Sequence, residues 1–161
     1  MKSNIVLIGM PGCGKSTIAS LLAQKLGRKL VDADQEIVKL AGKSIPDIFA
    51  QDGEEAFRKL ETEVLSSLGK QSGLVIATGG GCVTRKENYE HLHQNGCLIW
   101  LHRDIQTLPT DGRPLSASGK LEEMYRIRKP LYERFADHHI HNDSDAQDAA
   151  AAIIKLWEDG K

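Results

Sequence analysis

Gly9-Met10-Pro11-Gly12-Cys13-Gly14-Lys15-Ser16-Thr17, led in by the apolar run Ile5-Val6-Leu7-Ile8, is the stretch that decides the fold. It spells G-x-x-x-x-G-K-S between a strand-like run and a helical pattern. A strand delivers such a loop and a helix leaves it, so successive backbone N–H groups and the positive end of the helix converge on a phosphate. Glycine serves where the backbone curls around the anion and a Cβ would clash. Lys15 reaches the β and γ phosphates as a point charge. The Ser16 hydroxyl suits Mg²⁺, a hard cation that prefers oxygen ligands.

Working outward, Ile18, Leu21, Leu22 and Leu26 recur at helical spacing from about 15 to 27, where Gly27 closes the helix. Leu30-Val31 starts a second strand that ends at Asp32-Ala33-Asp34. Ser44 caps a helix with Pro46 in its first turn, and Gly53 breaks it. Phe57, Leu60, Val64, Leu65 and Leu68 form the buried side of a helix from Glu54 to about Gly69. Leu74-Val75-Ile76-Ala77-Thr78 reads as a buried strand feeding Gly79-Gly80-Gly81. Helix at 86–94, strand at 97–101, helix at 120–136, strand at 138–141 and helix at 145–158 complete the pattern. Strands alternating with helices predict an α/β domain, a parallel sheet with helices on both faces. Residues 103–119 are rich in turn formers and lack periodicity, which predicts a functional loop or lid.

The length of 161 residues fits one domain. With 21 basic and 22 acidic side chains, the charge balance gives no support to a nucleic-acid or anionic-membrane partner. No apolar run approaches the roughly 18 residues of a membrane span. The first residues lack the pattern of a secretory leader, so the expectation is a cytoplasmic protein. Cys13, Cys82 and Cys97 include no C-x-x-C pair, which suits reduced thiols. Cys13 opens a helix, where a thiol pKa tends to fall, and is expected to be alkylated unless ATP protects it. In His138-His139-Ile140-His141 strand alternation separates the imidazoles, and no ligand-like spacing supports a metal there. His91 and His93 read as surface residues.

Three polar sites fall at the carboxyl end of the predicted sheet, where open α/β sheets bind ligands. They are the phosphate loop, the Asp32/Asp34 pair and the triple glycine. If the strand pleat persists, Asp32 and Asp34 point the same way. Asp32 then holds the water shell of the metal while Asp34 reaches a second substrate. Gly79-Gly80-Gly81 offers a backbone that a hydroxylated substrate can approach closely. Arg58 and Glu61, three apart, share a helix face. Arg58 can present its guanidinium fork to an anionic substrate, oriented by Glu61, with Phe57 and Phe49 nearby.

The runs G-M-P-G-C-G-K-S-T, V-D-A-D, S-I-P-D-I-F-A-Q-D-G-E-E-A-F-R-K-L-E, T-G-G-G, R-P-L and R-K-P-L-Y together resemble shikimate kinase, in order and spacing, to about residue 137. The Ser44–Glu61 segment is the most specific, since generic phosphate-loop kinases do not carry it. The resemblance implies a nucleoside-monophosphate-kinase-like fold with strand order 2-3-1-4-5. It implies one kinase domain over 1–161, with core at 1–102 and 120–161, lid at about 103–119 and a substrate-binding helical segment at about 34–61. It implies transfer of the ATP γ-phosphoryl to the 3-hydroxyl of shikimate, on the route to aromatic amino acids, by a monomer using one Mg²⁺.

By the same resemblance, Gly12, Cys13, Gly14, Lys15, Ser16 and Thr17 cradle the ATP phosphates. Ser16 and Asp32 attend the metal. Asp34 bonds the shikimate hydroxyls and is the candidate base. Arg58 and Arg128 grip the shikimate carboxylate, and Gly80, flanked by Gly79 and Gly81, meets a substrate hydroxyl. Arg113 reaches the ATP phosphates, so Lys15, Asp34 and Arg113 form the catalytic set. Phe49, Phe57, Glu61, Pro114 and Leu115 line the pocket.

The likeness thins at the adenine end. His102-Arg103-Asp104-Ile105-Gln106-Thr107-Leu108-Pro109 is short, and its one arginine, Arg103, sits too early to match the family's lid arginines. His141-Asn142-Asp143-Ser144-Asp145 lacks the arginine that many relatives place on adenine. The expectation is ordinary shikimate recognition with weaker or less base-selective nucleotide binding. A gluconate or nucleotide kinase and a non-catalytic phosphate-loop module are the alternatives. The Ser44–Glu61 run weighs against the first, the Arg58/Arg128 grip against the second, and retention of Lys15, Asp34 and Arg113 against the third.

Overall fold

The computed structural model describes residues 3–104 and 120–160. Among these, β1 (Asn4–Ile8), β2 (Lys29–Asp32), β3 (Leu74–Ala77), β4 (Gly96–His102) and β5 (His138–His141) form one parallel sheet. Its order, β2-β3-β1-β4-β5, is the one the resemblance implies. β1 lies in the middle, with Ile5 in register with Val75 on one side and Cys97 on the other. A strand enclosed in this way needs apolar side chains on both faces, which is why Ile5-Val6-Leu7-Ile8 does not alternate.

The helices are α1 (Lys15–Leu26), α2 (Ala33–Ala41), α3 (Ile45–Gly69), α4 (Lys86–His93), α5 (Lys120–Phe135) and α6 (Ala146–Asp159). α1 packs on α6, α3 on α4, and α5 on β4, covering the sheet on both faces. Ile18 and Leu22 of α1, Leu65 of α3 and Tyr132 of α5 are sealed against the sheet. Burying a side chain of this size contributes about 1.5–3 kcal/mol. Among the described residues, no helix is long and apolar enough to cross a membrane.

The second strand does not carry its pleat through to Asp34. The chain turns helical at Ala33, because the Asp32 carboxylate caps α2: its Oδ1 accepts from the Asp34 N–H at 3.0 Å and the Gln35 N–H at 3.3 Å. Asp34 therefore stands in the first turn of a helix. In α3, the Ser44 hydroxyl accepts from the Asp47 N–H at 3.3 Å, and Gly53 breaks the helix with φ 88° and ψ 170°. That break turns the first half of α3, with Phe49, towards the half that carries Phe57; the two rings lie 4.9 Å apart.

Candidate active site

The phosphate loop joins β1 to α1 at the carboxyl end of the sheet. Gly14 takes φ 101°, and a Cβ on it would stand 2.5 Å from the Asn142 Nδ2, so glycine is required there twice over. That amide donates to the Cys13 carbonyl at 2.9 Å, so the segment between β5 and α6 braces the loop. The Lys15 ammonium donates to the carbonyls of Gly9 at 2.7 Å and Met10 at 2.9 Å. The Ser16 hydroxyl donates to Asp32 Oδ2 at 3.2 Å. These two groups, one hydroxyl and one carboxylate at the end of the cavity, are the oxygen set that Mg²⁺ prefers.

Cys13 departs from expectation. Its side chain is 1% exposed and lies 3.7 Å from the Lys15 ammonium, so only its backbone can serve a phosphate. A thiol placed in this way offers an alkylating reagent little exposed surface.

A cavity of about 580 Å³ runs from Gly12, Gly14, Ser16 and Thr17 at one end to Phe49, Phe57 and Arg128 at the other. Between them stand Asp34, Arg58, Glu61 and the triple glycine, as the sequence predicts. Arg58 and Glu61 face each other at 2.9 Å, with the side chains 7% and 1% exposed. Each glycine makes a close approach that a side chain would block. A Cβ at Gly79 would meet Asp34 Oδ1 at 2.9 Å and Glu61 Oε2 at 3.0 Å; at Gly80 it would meet the Pro11 ring at 2.7 Å; at Gly81 it would overlap the Arg58 guanidinium.

Burial pushes the Asp34 carboxyl up; Asp32 adds to the rise, while Lys15 and Arg58 oppose it. Burial likewise pushes Glu61 up to about 7, against the pull of Arg58. Among the described residues, Asp34 Oδ1, Glu61 Oε2 and Arg58 Nε are buried without a hydrogen-bond partner. Orphaned polar atoms of this kind are costly.

Arg113, Pro114 and Leu115 lie outside the described residues. Arg103, too early in sequence to match the family's lid arginines, lies on the cavity wall and donates to the Gly12 carbonyl at 3.3 Å. Met124 of α5 and Thr78 also line the cavity without having been expected. Thr78 had a usable signal, since it sits between a buried strand and the triple glycine. His102 and His139 share a hydrogen bond at 2.9 Å, with His141 beside them. Among the described residues, no three His, Cys, Asp or Glu side chains are arranged to hold a metal ion.

A model of the shikimate kinase family matches residues 11–158. The shikimate kinase of Synechococcus sp. (strain RCC307) is 47% identical over 165 residues, covering 95% of this chain and 83% of that one. That of Symbiobacterium thermophilum is 40% identical over 171 residues, covering 98% of each. The solved structure of the Acinetobacter baumannii shikimate kinase in complex with shikimate aligns with a TM-score of 0.93 at 37% identity, covering 100% of this chain and 96% of its own.

Proposed function

This chain belongs to the shikimate kinase family, and we infer that it transfers the γ-phosphoryl group of ATP to the 3-hydroxyl of shikimate, giving shikimate 3-phosphate and ADP. The observation that carries this is the cavity itself, which sets two buried arginines, the buried Glu61 carboxylate and the half-buried Asp34 carboxylate against three glycines, directly beyond a phosphate loop.

Roles follow from position. Arg58 and Arg128 take the shikimate carboxylate, and the guanidinium fork fixes the ring in orientation as well as place. Glu61 holds Arg58 from behind. Asp34 accepts from the ring hydroxyls, and its raised pKa brings it nearer to what a general base needs. Phosphoryl transfer through a loose transition state asks more for alignment than for proton abstraction, so Asp34 acts first as an orienter. Lys15 and the loop amides from Gly12 to Thr17 face the charge on the transferring group. The family pattern adds Arg113 to that set.

Ser16 and Asp32 are the residues that would hold one Mg²⁺. When bound, the ion neutralises phosphate charge and orients the β and γ oxygens. We further infer a monomer working in the cytoplasm, with a lid at about 103–119 over the core and a substrate-binding segment at about 34–61.

A coupled assay of ADP release with shikimate, gluconate and AMP as separate acceptors tests the reading. Shikimate alone should support turnover. Release with gluconate or AMP but not with shikimate overturns it.

A further inference from the structure

All three carbonyls of the triple glycine are held by donors. Gly79 O accepts from the Cys82 N–H at 3.3 Å, and Gly81 O from the Thr84 N–H at 3.1 Å and the Thr84 hydroxyl at 2.7 Å. These bonds lie within the turn that follows. Gly80 O is different: it accepts from the Tyr132 hydroxyl at 2.5 Å, a residue of α5 that is 52 positions away.

Tyr132 is fitted to hold that carbonyl. It is 0% exposed, and its ring stacks on Trp100 with centroids 5.5 Å apart and 29° between the planes. Burial drives its phenol pKa far up, so the hydroxyl stays protonated and remains a donor. Arg128, one turn back on the same helix, lies against the phenol. On its other side, Gly80 is pressed against Pro11 of the phosphate loop.

A peptide unit is planar and trans, so fixing the Gly80 carbonyl also fixes the Gly81 N–H, in the opposite direction. Gly81 is the residue that packs against the Arg58 guanidinium. One hydroxyl therefore joins the peptide unit beside Arg58 to the helix that carries Arg128.

We propose that Tyr132 is a positioning residue for the acceptor substrate, acting through the Gly80 carbonyl to aim the Gly81 amide and to tie the two carboxylate-gripping arginines into one frame. This rests on the shikimate kinase reading. Without the hydroxyl, the Gly80–Gly81 peptide unit loses the bond that ties it to α5, and acceptor binding must supply that order. ATP is held by the other loop, through the Gly12–Thr17 run that lies beyond the Pro11 contact with Gly80.

The test is Tyr132→Phe, which keeps the ring and its stack on Trp100, measured beside enzyme carrying 3-fluorotyrosine at position 132, which keeps the donor. Shikimate KM should rise about tenfold in Tyr132→Phe while ATP KM stays within about twofold. The 3-fluorotyrosine enzyme should stay within about twofold for both. Because KM does not depend on the active fraction, partial misfolding cannot imitate this split. An unchanged shikimate KM, an equal rise in both KM values, or a fluorotyrosine enzyme as impaired as Tyr132→Phe overturns the proposal. A reading on the unaltered protein needs no variant: the Gly81 amide resonance should move when shikimate is titrated in, and a stationary one overturns the proposal. Failure of the unaltered protein to release ADP with shikimate would defeat the function itself, and is distinguished before any variant is compared.

Discussion

Arg58 and Glu61, one turn apart on α3, meet at 2.9 Å in a place that water scarcely reaches. Glu61 is half satisfied, since its other oxygen, Oε2, has no partner among the described residues. The pair is worth more as a device for aiming Arg58 than as a source of stability, because desolvating two charges offsets most of their attraction.

Replacing Arg58 by Ala should raise shikimate KM by roughly tenfold to a hundredfold, the worth of a lost charge-assisted contact, and leave ATP KM nearly unchanged. Arg58→Lys should recover little of it, since a point charge cannot match a planar fork. Steady-state kinetics with each substrate varied in turn checks both. A rise confined to ATP KM would refute the assignment.

Glu61 also governs a pH dependence of stability. Its folded pKa, about 7, lies above its ordinary value of 4.5. The folded state therefore keeps a proton that the unfolded chain has released, and this contribution to stability is full below about pH 4.5 and lost as pH rises through about 7. Denaturant midpoints for the wild type and Glu61→Gln at intervals between those limits should show a falling slope that the variant flattens.

Lys15→Met should cut kcat by about a hundredfold or more, with shikimate KM little changed, since Lys15 faces charge that develops on the transferring group. Rapid-quench measurement of the phosphoryl-transfer step separates this from slow product release.

Gly79→Ala tests the close approach directly. The added Cβ would stand 2.9 Å from Asp34 Oδ1 and 3.0 Å from Glu61 Oε2, so both carboxylates must shift. Shikimate binding measured calorimetrically should weaken by at least about tenfold while ATP binding persists.

Much of this was legible because its signals are local. The phosphate loop, the apolar strands and the Ser44 cap are written in consecutive residues, and the cap's donor, the Asp47 N–H, lies within one turn. Asp32 shows where local reading fails. Two acids separated by one residue look the same whether the strand continues or a helix begins, and the deciding hydrogen bonds belong to the backbone of Asp34 and Gln35. Both residues still line the cavity, because the first turn of α2 turns Asp34 inward as a pleat would have done. Arg103 and Tyr132 lay beyond local reading altogether. Their partners, Gly12 and Gly80, are 91 and 52 residues away. Only the sheet order, with β1 between β3 and β4, brings those segments to one rim.

The amide of Asn142 that braces the phosphate loop has a consequence for the order in which the molecule is made. The loop is translated before the side chain that fixes the Cys13 carbonyl, which follows 129 positions later. A growing chain therefore carries the whole phosphate-binding motif for those 129 residues of synthesis while the motif still lacks its brace. Nucleotide affinity should come as a step when β5 joins the sheet, and ribosome-bound chains halted before and after Asn142 emerges should differ in their retention on immobilised ATP.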